Sequence, residues 1–78
     1  MCELFGFTAD KEYDISRLLK AFYSRSIYHP HGWGLAVYRN GLPFIAKEPV
    51  PAHESGFLEL FTGNPVTTSL AIAHIRYA

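Results

Sequence analysis

Cysteine is all but missing from this chain. Cys2 is the only one, so no internal disulfide can form and the fold must be held by packing. A lone thiol suits a reducing cytoplasm. An excess of charge of one sign is missing too. Seven Lys and Arg against seven Asp and Glu leave a formal net charge of zero. That balance excludes a global field drawing the protein to nucleic acid or anionic lipid. No apolar run approaches the ~20 residues of a membrane span. No basic segment followed by an apolar stretch opens the chain as a secretory signal would. Repeats and low-complexity tracts are absent. These absences point to a cytoplasmic protein with no nucleic acid and no membrane among its partners.

Aromatic residues are plentiful by contrast. Six Phe, five Tyr and one Trp make up 15% of the chain, within a hydrophobic content of 49%. Such a composition requires a core rather than disorder. At 78 residues the chain is one domain at most. A domain of this size buries only ~60% of its unfolded surface. So heavy an apolar load predicts further cover, from additional chain or from a second subunit in a homo-oligomer.

The spacing of apolar residues sets out the elements in order. Cys2 to Thr8 reads as a short strand whose apolar residues do not alternate cleanly, which suits burial on both faces. Asp14 is placed to cap a helix, its carboxylate accepting from the first free amides. Ile15, Leu18, Leu19 and Phe22 follow at the i, i+3, i+4, i+7 spacing of a helix packing one face inward. This helix is expected to fade around Ser24–Ser26. Tyr28-His29-Pro30-His31-Gly32 is loop, because the residue before a proline is pushed out of helical space.

Trp33 to Arg39 reads as a strand, Asn40-Gly41 as a type I′ turn needing positive φ at both positions, and Leu42 to Lys47 as the return strand. Pro43 belongs near a strand start or on an edge. After the stiff Glu48-Pro49-Val50-Pro51, Ser55 or His53 opens a second helix through Phe57, Leu58, Leu60 and Phe61, closed by Gly63. Thr67 to Tyr77 is the last strand. The order β-α-β-β-α-β implies an α+β fold with a largely antiparallel sheet. The chain stops at Ala78 directly after that strand, with no polar tail, and reads as the front portion of something longer.

Cys2 is the first candidate for chemistry. A residue as small as cysteine at position two normally allows the initiator methionine to be removed, leaving a thiol and a free α-amine on one residue. The thiolate is the nucleophile, and the amine titrates near ~7.7–8.0, close enough to serve as its base. His74 and Arg76 are two apart on a strand and share a face. A guanidinium on an otherwise apolar strand needs a carboxylate or an exit to solvent. His29-x-His31 lacks the further ligands of a metal site. Gly32-Trp33-Gly34 precedes a strand and lacks the lysine of a phosphate loop. No elbow motif surrounds Ser24, Ser26 or Ser69. Nothing in the sequence requires a metal or cofactor.

Three segments together resemble the class II glutamine amidotransferases of the small stand-alone type. The opening Met1-Cys2-Glu3-Leu4-Phe5-Gly6-Phe7 is similar to that family's processed cysteine and first strand. His29-Pro30-His31-Gly32-Trp33-Gly34-Leu35-Ala36-Val37-Tyr38 is similar to its Gly-Trp-Gly approach to the second strand. Ala73-His74-Ile75-Arg76-Tyr77-Ala78 is similar to its His-x-Arg-aromatic-Ala segment. The resemblance implies the N-terminal part, over residues 1–78, of an N-terminal-nucleophile hydrolase, in which two antiparallel sheets stack between helical layers in an αββα sandwich. It implies that Cys2 attacks the side-chain amide of glutamine to give a thioester and release ammonia. It implies that Arg76 holds the α-carboxylate, that Tyr77 lines the substrate pocket, and that His74 supports the strand.

The family's Asn-Gly oxyanion pair, and the acidic residue that meets the substrate ammonium, come after the Arg segment. Asn40-Gly41, in a hairpin turn, does not stand in for that pair. The chain alone is therefore expected to be inactive, since loss of one oxyanion donor already costs ~10²–10³ in turnover. A related amidohydrolase acting on another γ-glutamyl amide is the alternative enzyme. A small α+β module dimerising through its aromatic surface, with Cys2 inert, is the non-enzymatic one.

Overall fold

The computed structural model describes residues 2–77. The elements are β1 (Cys2–Asp14), α1 (Ser16–Tyr23), β2 (Trp33–Arg39), β3 (Leu42–Glu48), α2 (Gly56–Thr62) and β4 (Thr67–Arg76), with single 3₁₀ turns at Ser24–Ile27 and Ala52–Glu54. The four strands form one sheet in the order β1-β4-β2-β3, every neighbouring pair antiparallel. The fold is α+β, as the sequence implies. The last strand is therefore a central one, inserted between the first strand and the β2–β3 hairpin.

Both helices cover one face of the sheet. Glu3, Ile75, Trp33 and Glu48 lie in one cross-strand row on that face; Phe5, Ala73, Leu35 and Ala46 lie in the next; Phe7, Ala71, Val37 and Phe44 complete it. Against these rows α1 buries Ile15 (just before its first residue), Leu19, Phe22 and Tyr23, while α2 buries Leu58. Each such side chain contributes roughly 1.5–3 kcal/mol by leaving water. Leu18, expected to point inward, is instead exposed.

Phe57 and Phe61, one turn apart on α2, form a run of stacked rings with Trp33 and Phe44. Centroids along it are 5.5–6.3 Å apart and planes within 17° of parallel. Ser55 is the residue that opens α2, its Oγ accepting from Leu58 N at 3.1 Å. Gly63 closes the helix, its N–H donating to Glu59 O. The N-cap position of α1 falls on Ile15 rather than the expected Asp14, and carries no side-chain capping bond. Asp14, one residue earlier, accepts with Oδ1 from Ser16 N at 2.9 Å and from Val66 N at 3.0 Å, tying the start of α1 to the residue before β4. Those two amides hold its carboxyl below the usual aspartate range. The hairpin turn has φ of 54° at Asn40 and 77° at Gly41, the positive pair that type I′ demands.

The opposite face of the sheet carries no helix. Leu4, Ile45 and Ile72 are 74%, 69% and 57% exposed there. This corrects the expectation that the first strand is buried on both sides. Exposure along β1 alternates, with Glu3, Phe5 and Phe7 turned inward and Cys2, Leu4 and Gly6 outward. The strand also continues to Asp14, beyond its expected end at Thr8. Between Thr8 and Tyr13 four β1 residues stand against Ser69 alone, a bulged stretch that a pattern search passes over.

Candidate active site

Strand alternation and pairing decide what Cys2 meets. Cys2 on β1 is the direct cross-strand partner of Arg76 on β4, and both side chains emerge on the helix-free face. Directly opposite residues on one face have Cβ atoms about 4.5–5.5 Å apart, so thiol and guanidinium stem are immediate neighbours. The thiol is exposed. Arg76 is fixed through its backbone: its N–H donates to Gly32 O at 2.9 Å, and its carbonyl accepts from His31 N at 2.9 Å. Leu4, His74, Gly34 and Lys47 form the next row on the same face.

Glu3 braces this arrangement from beneath. Its two carboxylate oxygens accept from Arg25 Nε at 2.5 Å and Nη2 at 2.9 Å, a bidentate grip, and one also meets His29 Nε2 at 2.8 Å. The Arg25 bonds, with a smaller share from His29, hold the Glu3 carboxyl down at about 2. The same pairing pushes the Arg25 guanidinium up. The His29 ring also meets Tyr77 edge-on, centroids 6.1 Å apart. His29 thus touches the residue after Cys2 and the residue after Arg76.

Tyr77 lies one position beyond β4, its ring against His29 and, at 5.1 Å, His31. His74 is half-buried beside Gly34. The Asn40-Gly41 turn lies at the other end of the sheet: β2 meets Ile75 at Trp33 but Ala71 at Val37, so the turn is ~26 Å from Arg76 along the strand.

At Gly32 a side chain would be strained, because φ is 141° and a Cβ would stand 3.2 Å from Glu48 O. Beyond it a cleft of about 430 Å³ opens, bordered by His31, Gly34, Lys47, Pro49, His74 and Arg76. Tyr23 reaches under its floor, donating its hydroxyl to Gly34 O at 2.7 Å. Burial pushes that phenol's ionisation well up. Sequence reading singled out neither Glu3 nor Lys47. Glu3 was legible only as a charged residue in an apolar strand, and Lys47 only as a strand end. Among the described residues no group of three or more His, Cys, Asp or Glu is placed to hold a metal ion. Among the described residues no helix is long and apolar enough to cross a membrane.

The sequence profile of the class-II glutamine amidotransferases matches residues 1–78. The chain belongs to that family. This class-II glutamine amidotransferase chain is also 37% identical over 78 residues to an uncharacterised protein of Methanocaldococcus jannaschii. The match takes in 100% of the chain and 22% of that protein, so the chain spans about a fifth of the length of the relative. No solved structure matches it.

Proposed function

We propose that residues 1–78 carry the nucleophile and the substrate-carboxylate clamp of a glutamine-hydrolysing site, as the N-terminal part of a class II amidotransferase domain of the αββα type. Removal of Met1 frees the α-amine of Cys2. The thiol passes its proton to that amine, and the thiolate adds to the carboxamide carbon of glutamine. The carbon–nitrogen bond then breaks. Ammonia leaves with the proton returned by the α-ammonium, and a glutamyl thioester remains. Water cleaves the thioester, giving glutamate and the free thiol. Arg76 presents its planar fork to the substrate α-carboxylate, a charge-assisted pairing that fixes the amide over the sulfur. Tyr77 closes the pocket at the strand end.

The observation that carries the reading is the pairing of Cys2 with Arg76 on the uncovered face. Residues 1–78 by themselves are expected to turn over no substrate, because glutamine hydrolysis also needs oxyanion donors. It needs no metal or cofactor, and it places the work in the cytoplasm, without nucleic acid or membrane.

Intact mass and an electrophilic glutamine analogue, 6-diazo-5-oxo-norleucine, test it. The expected result is loss of Met1 and a single adduct on Cys2, slowed by glutamine. A retained Met1, or labelling indifferent to glutamine, removes the nucleophile assignment.

A further inference from the structure

The Cys2–Arg76 pair is the last rung of the described β1–β4 ladder, and β1 is an edge strand of the described sheet. Strand ends at an edge are where a chain frays first. Chemistry between a sulfur and a substrate amide tolerates little play, since a misplacement of about 1 Å can cost ~10² in rate. Something outside the ladder has to hold this end of it.

That hold comes from one segment, residues 25–32, which reaches both strands. On β1 it takes Glu3, whose carboxylate accepts from Arg25 and, at 2.8 Å, from His29 Nε2. On β4 it takes Arg76 through Gly32 O and His31 N, each at 2.9 Å, and it sets the His29 ring edge-on to Tyr77. The His29 side chain therefore meets both strand ends. Its residue is 8% exposed and its N–H donates to Ser26 O at 3.1 Å, so the ring has little room to drift. The proton sits on Nε2, because an ionised carboxylate can only accept.

Alternation along β1 turns that grip into aim. Glu3 points beneath the sheet and Cys2 above it, so fixing the Glu3 side chain fixes the backbone from which the sulfur projects. Glu3 also stands opposite the fully buried Ile75, where an apolar side chain would pack without desolvating a charge. Exchanging a paired charge for an apolar group is often neutral for stability, so the carboxylate at this place points to orientation.

We infer that His29 and Glu3 are positioning residues: their bond locks the first strand to the Arg76–Tyr77 end of the last, and so sets the distance between the Cys2 sulfur and the carboxylate clamp. The inference rests on the reading proposed above, and both side chains act through Cys2 and Arg76.

Labelling of the 78-residue protein by 6-diazo-5-oxo-norleucine tests it, resolved into a half-saturating concentration and a maximal rate. Iodoacetamide serves as an electrophile that needs no alignment, and circular dichroism fixes a temperature at which the variants are folded. His29→Leu is expected to lower the maximal labelling rate about tenfold, with the half-saturating concentration and the iodoacetamide rate within about twofold of wild type. His29→Gln, which keeps a donor, restores most of the rate. Glu3→Gln shows the same loss, and the double variant Glu3→Gln/His29→Leu loses no more than either alone. An unchanged maximal rate in His29→Leu or Glu3→Gln, an equal fall in the iodoacetamide rate, or additive losses in the double variant overturns the positioning role and leaves the Cys2–Arg76 reading standing. Wild-type protein that takes no label overturns both.

Discussion

Cys2 and Arg76 face each other across the β1–β4 ladder, on the one side of the sheet that no helix covers. Under the proposed function, a nucleophile and a carboxylate clamp in this relation act on one substrate of amino-acid length. Replacing the fork by a point charge tests the geometry. Arg76→Lys is expected to raise the glutamine concentration that half-protects Cys2 about tenfold or more, because an ammonium cannot form two parallel bonds. An unchanged value would take Arg76 out of substrate binding.

Glu3 predicts an acid limb of stability. Its carboxyl is lowered from 4.5 to about 2 in the fold, so its contribution is in full force above the unfolded value and fades as pH falls from about 4.5 towards 2. Melting temperatures of wild type and Glu3→Gln are expected to differ at pH 6 and to converge across that window. Asp14, lowered in the same direction, is present in both proteins and cancels. Curves that stay parallel to pH 2 would show that Arg25 and His29 do not grip the carboxylate in solution.

Ser55 does two jobs at the start of α2, accepting from Leu58 N and donating to Glu48 Oε1. It is 4% exposed, so water cannot replace either bond. Ser55→Ala should cost about 1–2 kcal/mol. For a chain of this length each kcal/mol is worth ~4–8 °C in melting temperature. A thermal melt indistinguishable from wild type would refute the capping role.

Two glycines only two positions apart are expected to respond oppositely. Gly32→Ala forces a side chain into a backbone at φ of 141° and against Glu48 O, a strain of about 1–3 kcal/mol. It should also loosen the Gly32 O bond that fixes Arg76. Gly34→Ala meets open space and is expected to leave stability equal or raised by ~0.5 kcal/mol. Denaturant titration of the two variants separates them, and equal losses would contradict the backbone geometry.

Much of this was legible because the deciding signals are local. Asn40-Gly41 dictates its own turn, Ser55 its own helix start, and the Cys2 and Arg76 segments carry the family resemblance in a few residues each. The bulge between Thr8 and Tyr13 was not legible, since a bulge suspends the alternation by which strands are recognised. Nor was the half-open character of β1: exposure of Leu4 depends on where the helices lie, which no window around Leu4 contains. The Glu3–His29 brace joins residues 26 apart. The cleft beside Lys47 exists only because β4 inserts between β1 and β2, an arrangement that element order alone does not specify.

From Cys2 to Thr8 every residue of β1 has a set partner on β4, after which the ladder loosens until Tyr13. Adding one residue inside the paired part would swing the sulfur through the sheet to lie beneath the helices, whereas the slack between Ala9 and Glu12 would absorb the same insertion. The number of residues ahead of the slack is odd or even with chemical consequence. Parity, as much as pairing, decides which face of the sheet the sulfur occupies.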